Sequence, residues 1–302
     1  MTAVDLLTRL TPPPGADGRR RILTDGVMLA GIIFSAYWVW SILQVPFGTD
    51  ASIYWSTPLD DPYRNAHIGG FGAYLYSPVF LQLMAPFRLL PWDVFHVVWS
   101  AILVACLVWL VGRWTPLALL VPPVSAEILV GNVNLLIAVA VVLGVRRGAA
   151  WSFPLLTKVL PGLGLLWLVL RRRWREVGVA LAVTGAVVAV SFVLGPRLWF
   201  AWAAALVQSA VDPATNDLPL TALLPVPLWV HLPIGLLLVI VAARRNWPWL
   251  LPAAVYLLLP ALWTSSLVIL LGIPRLLRVA PEDQTVRTAA VERAATAAAP
   301  SS

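Results

Sequence analysis

Two ionisable residues stand where an apolar chain should carry none. Lys158 is the single lysine, every other basic residue being arginine. It falls inside the apolar stretch 148–170, between Thr157 and Pro161. A charge at membrane depth is costly, and a compact ammonium there suits a phosphate or phosphodiester as its counter-charge. The plainer reading is a lysine whose stem lies in the bilayer and whose head reaches the interface. Asp50 follows the uncharged run 26–46, beside Tyr54 and Trp55. A carboxylate at a membrane boundary can take a proton from a hydroxyl, and partly apolar surroundings raise its pKa toward working pH. The plainer reading is a solvated helix cap.

Three further groups have chemistry open to them. Asp60-Asp61-Pro62-Tyr63 offers paired carboxylates for a metal or a sugar hydroxyl, or a simple Asp-Pro turn. Tyr74 and Tyr76 either stack on a sugar or anchor at the interface. Asn132 and Asn134, in Gly131-Asn132-Val133-Asn134, either close a turn between helices or present amides to a ligand. His67, His96 and His231 are scattered, so a histidine-built metal site is not expected. Cys106 reads as a small core residue and has no partner for a disulfide. No phosphate-binding glycine loop is present, so a transferred sugar has to arrive on a lipid rather than a nucleotide.

The elements that must position these residues are membrane helices. The chain has 302 residues, 60% of them apolar and 12% charged, with a mean hydropathy of +0.85. Soluble domains carry about 25% charge, which excludes the soluble enzyme folds. The net charge of +7 comes from arginines at the ends of apolar runs, which orients spans and offers no nucleic-acid groove. Residues 1–25 are expected to be a disordered cytoplasmic lead, 26–279 the transmembrane domain and 280–302 a disordered tail. The first span, 26–46, leads to an outer loop, 47–73, and an interfacial segment, 78–91. A span then runs from Asp93 to Arg113. Stretches 115–145 and 148–170, broken by Pro122-Pro123, Gly131 and Pro161, read either as short-armed hairpins or as single spans. A span over 177–196, an outer loop over 197–217, a span over 218–243 and a hairpin turning near Trp263-Thr264-Ser265-Ser266 complete the expectation. It amounts to an all-α polytopic bundle of about 8–11 membrane segments with a functional first outer loop.

The order of these features resembles the GT-C class of integral membrane glycosyltransferases, and within it glycosyltransferase family 87, the polyprenyl-phosphate-mannose-dependent alpha-mannosyltransferases. The resemblance rests on Asp50 with Tyr54, Asp61-Pro62-Tyr63, Tyr74 and Tyr76 before Pro78, Leu89-Leu90-Pro91, Gly131 with Asn134, Lys158 with Pro161, and Arg171 to Arg175. It departs where Asn132 stands in a glutamine position and Asp61 in a position commonly asparagine. The resemblance implies an inverting transfer of a sugar, mannose by family, from a polyprenyl-phosphate donor to a glycolipid or lipoglycan hydroxyl. It makes Asp50 the general base and Lys158 the holder of the donor phosphate. Tyr54, Asp61, Tyr63, Tyr76 and Asn134 become substrate-binding residues. No cofactor, metal or nucleotide is demanded, membrane lipid surrounds the protein, and the site faces outward from a bacterial plasma membrane. A non-catalytic polytopic protein, either a lipid-linked-sugar transporter or an envelope-assembly scaffold, is the alternative.

Overall fold

Prolines and glycines cut this apolar chain into pieces of very different length. The computed structural model describes residues 47–64, 66, 73–211 and 223–278, with Asp25, Gly26, Leu29, Ile33, Ala36 and Trp40. The chain divides into two units, residues 1–45 and 46–302. In the first, the six described residues are helical. Most of the expected first span, the polar lead and the tail lie outside the described residues.

Among the described residues of the second unit, three helical runs are long and apolar enough to cross a membrane: Trp92–Ala118, Trp174–Leu194 and Leu228–Arg245. Two of their ends follow directly from the sequence. Pro91 caps the first, where a missing N–H costs nothing. Asn246, at φ 56°, ends the third in the left-handed conformation. The remaining apolar stretches are broken. Pro122–Val130 and Asn134–Gly144 meet at 110° across Gly131, and the pair counts as a fourth candidate span if its arms are taken together. The break falls where the asparagines suggested it. Stretch 148–170 divides into Gly148–Trp151, Ser152–Thr157, Leu160–Leu165 and Leu166–Leu170. The last apolar stretch divides into Pro248–Leu250, Leu251–Leu257, Ser265–Gly272 and Ile273–Leu277.

One expected loop is a helix instead. The segment over 197–217 begins as the helix Pro196–Val211. Its leading proline suits a first helical position, and no further proline or glycine interrupts it. Its expected polar end, with Asp212, Asn216 and Asp217, lies outside the described residues. The chain also forms a two-strand antiparallel ladder that the sequence reading does not contain, Leu223 opposite Trp263 and Leu224 opposite Leu262.

The core lies among the broken pieces. Leu135, Ile137, Ala138, Val141, Trp151, Leu251, Val255 and Ile269 are fully buried. Trp151 fills the space left by two glycines. A Cβ at Gly144 would stand 2.7 Å from its ring nitrogen, and one at Gly164 would also strike its ring. Its indole N–H donates to the Gly144 carbonyl at 3.0 Å, so the large ring is buried without an orphaned donor. A larger residue at either glycine would have to displace the ring.

Candidate functional site

Three chain reversals bring Asp50, Asn132 and Lys158 together. Gly48, at φ +72°, turns the chain into the short helix Thr49–Ser56 that carries Asp50. The Gly48 N–H donates to Leu129 O at 2.7 Å, which ties that helix to the bent pair. Gly131, at φ +77°, makes the bend itself. A Cβ there would sit 2.7 Å from the Ala51 Cβ, so only glycine permits this approach. Trp99 Nε1 donates to Gly131 O at 2.7 Å and fixes the bend from the neighbouring span.

The third reversal follows Lys158. Val159 has φ 46° and ψ −65°, and the Leu160 N–H reaches back to Lys158 O at 2.6 Å. This is close to the strained form of the three-residue turn, held here by a β-branched residue that rarely adopts positive φ. Strain of this kind persists only where the surroundings fix it, and it collects at functional sites. Pro161 then prevents the helix from continuing.

The side chains join through amides. Asn132 Nδ2 donates to Asp50 Oδ2 at 2.5 Å. Lys158 Nζ donates to Asn132 Oδ1 at 3.2 Å and to Asn134 Oδ1 at 2.9 Å. A single amide thus touches the acid at one end and the amine at the other. Asp50 and Lys158 are half-buried, whereas Asn132 and Asn134 are buried. The crowded surroundings hold the Asp50 carboxyl above the ordinary carboxylate range, while the Asn132 hydrogen bond and the charge of Lys158 draw it back down. Two of the three Lys158 donors are committed to amide oxygens, which leaves a third for a ligand. Its ammonium also stands 5.8 Å from the centre of the Tyr76 ring.

An aromatic wall borders the acid. Tyr54 OH and Tyr76 OH share a hydrogen bond of 2.7 Å. The Tyr54 ring meets Tyr76, Phe80 and Trp99 edge-on at 5.1, 5.1 and 5.7 Å. Tyr63 OH donates to Tyr76 O at 3.0 Å, and burial pushes its own phenol above the usual range. Ser77 Oγ donates to Leu156 O, tying this wall to the segment that carries Lys158. Asp61 is not drawn in; with Asp60 it lies exposed on the turn before Tyr63. Among the described residues, no three of His, Cys, Asp and Glu gather as a metal site.

The sequence reading did not single out Glu127 or Ser266. Glu127 is fully buried. Its Oε1 accepts the Asn134 backbone N–H at 2.7 Å, and its Oε2 accepts Asn134 Nδ2 at 3.1 Å. Ser266 Oγ accepts from the same Nδ2 at 2.9 Å. A signal for Glu127 was present. It is the only charged residue between Arg113 and Arg146, the same test that singles out Lys158. Ser266 gives no such signal, because it reads as one hydroxyl of a turn.

No curated protein and no solved structure matches the chain. The sequence model described as glycosyltransferase family 87 matches residues 74–298. That range holds Tyr76, Glu127, Asn132, Asn134, Lys158 and Ser266, and it begins after Asp50, Tyr54, Asp61 and Tyr63. The helical architecture with its broken membrane stretches agrees with a GT-C-like membrane fold. Matched over most of its length, the chain belongs to glycosyltransferase family 87.

Proposed function

We propose that this glycosyltransferase moves a sugar, mannose in the first instance, from a polyprenyl-phosphate donor to a hydroxyl of a glycolipid or lipoglycan, with inversion. Asp50 takes the proton of the acceptor hydroxyl. The oxygen attacks the anomeric carbon on the face opposite the phosphate, and the bond from that carbon to the phosphate oxygen breaks. The polyprenyl phosphate leaves with its added charge met by Lys158. Tyr54, Tyr63 and Tyr76 border the sugar, and Asn134 stands with the amine. The site opens toward the outer face of a bacterial plasma membrane, where a lipid-borne donor arrives laterally.

The observation that carries this reading is the Asn132 amide, hydrogen-bonded to Asp50 and Lys158 at once. A base and a phosphate counter-charge have to sit within one sugar's reach of each other for a single-displacement transfer. The test is transfer from labelled polyprenyl-phosphate-mannose by the purified protein. Asp50→Asn keeps the shape and hydrogen-bonding reach but removes the base. It should lower kcat by about 10²–10⁴-fold. Unchanged turnover would remove Asp50 from the mechanism.

A further inference from the structure

Glu127 poses a question that the transfer reaction does not answer. It is fully buried in an otherwise uncharged helix, where a carboxylate is expensive to keep. Both of its oxygens are used on one neighbour: the backbone N–H and the side-chain amide of Asn134. Ser266 accepts from that same amide nitrogen. An asparagine side chain has two N–H donors, and here both have acceptors. Its oxygen then faces the one remaining direction, toward Lys158 Nζ at 2.9 Å.

With Glu127 accepting on both oxygens, this orientation is one-way. Turning the Asn134 amide over would set its oxygen against the Glu127 carboxylate and its NH2 against the Lys158 ammonium. Acceptor would meet acceptor and donor would meet donor, in a setting where unmade hydrogen bonds cost most. The backbone carbonyl of Glu127 also accepts the N–H groups of Gly131 and Asn132, at 2.9 and 3.3 Å. Side-chain substitution leaves those two bonds in place, so the bend and the orientation of Asn134 are separable by experiment.

We infer that Glu127 is a positioning residue for the phosphate-holding amine: through the Asn134 amide, it fixes Lys158 Nζ where a lipid phosphate docks. The inference rests on the role proposed above for Lys158. It gives Asn134 the task of orienting the amine, with both of its N–H donors already spent before a sugar arrives. A glutamine at 127 would keep the size and lose the effect, because its NH2 would face a donor of Asn134.

The test needs neither the sugar nor the acceptor. Farnesyl phosphate and farnesol are titrated calorimetrically into the purified protein in detergent, so that phosphate recognition is read apart from lipid recognition. Glu127→Gln should weaken farnesyl phosphate about tenfold and leave farnesol unchanged. Lys158→Gln should weaken farnesyl phosphate at least as much, and the double variant should be no weaker than Lys158→Gln alone, as for residues acting in series. If Glu127→Gln weakens both molecules equally, Glu127 is merely structural and the inference is overturned. If it weakens neither while Lys158→Gln weakens the phosphate, the inference falls and the role of Lys158 stands. If Lys158→Gln binds farnesyl phosphate like the parent, the role proposed for Lys158 falls and takes this inference with it. Should Glu127→Gln not fold, Ser266→Ala decides. A severalfold loss confined to farnesyl phosphate supports the relay, and unchanged affinity overturns it.

Discussion

The unbroken helix Trp174–Leu194 and the broken pair around Gly131 are equally apolar to the eye, yet they are used in opposite ways. Of the 21 residues in Trp174–Leu194, only Val177, Ala180 and Ser191 are buried. In Asn134–Gly144, 11 residues long, the buried set is Asn134, Leu135, Ile137, Ala138, Ala140, Val141 and Gly144. Most side chains of the long helix stand exposed or partly exposed, a setting in which any apolar residue serves. The short arm is packed on all sides and ends at the bend, where freed backbone groups and amides are satisfied by protein. Irregular backbone at membrane depth is tolerated only where it is enclosed or lines a cavity. The lesson is that in this chain the interruptions in a hydrophobic stretch, rather than its clean spans, gather the buried polar side chains from which the proposed site is built.

If that division is right, the largest effects belong to charges at the interruptions. Lys158→Met removes the ammonium and keeps much of the stem. It should lower kcat by about 10²–10³-fold in the transfer assay, the scale of losing one preorganised electrostatic contact to a leaving group. Full activity in Lys158→Met would mean that the broken stretches are only packing, and the contrast with the long helices would lose its functional meaning.

A pH profile sharpens the same contrast from the acid side. The base proposed above has to be ionised to accept a proton, and the enclosure of Asp50 holds its carboxyl above the ordinary range. The rate should therefore fall about tenfold per pH unit on the acid side, with the limb above the usual aspartate value near 4. The Asn132 hydrogen bond favours the ionised form. Removing it in Asn132→Ala should move the acid limb of kcat/KM to higher pH. A limb that moves down, or stays, would show that Asn132 does not act on the base.

How much of this is legible in the sequence depends on whether a residue breaks its local background. Asp50 and Lys158 stand out as lone charges beside or within uncharged runs, and the asparagines at the bend stand out as amides in an apolar stretch. Glu127 meets the same criterion one helical turn before Gly131, but nothing in the sequence says that its partner is the Asn134 amide. The connections cannot be read at all. Asn132 and Asp50 are 82 positions apart, and Asn134 and Ser266 are 132 apart, so only the folded chain reveals that they touch. The pairing of Tyr54 with Tyr76 is hidden for the same reason. Asp61 looks as promising as Asp50 in the sequence, but a turn next to proline leaves it in the open. The helix Pro196–Val211 reads as a loop because its tryptophans suggest an interface, and an interfacial aromatic sits as well on a helix as on a loop.

The smallest effects offer the cleanest comparison, since one substitution can be made in both regions. Gly131→Ala forces a side chain onto a φ of +77° and into the Ala51 Cβ. It should cost about 1–3 kcal/mol in detergent unfolding and should loosen the helix that carries Asp50, so that kcat falls with the stability. Gly185 lies in Trp174–Leu194, and a Cβ placed there would meet nothing within 4 Å. There the same change adds a better helix former to a lipid-facing surface. It should shift stability by no more than about 1 kcal/mol, in the stabilising direction, and leave transfer unchanged. The two variants differ from the parent by the same methyl group, so composition cannot explain a difference between them. Equal unfolding shifts in Gly131→Ala and Gly185→Ala would mean that the bend is no more constrained than the lipid-facing wall, and the argument that the interruptions position the site would have to be given up.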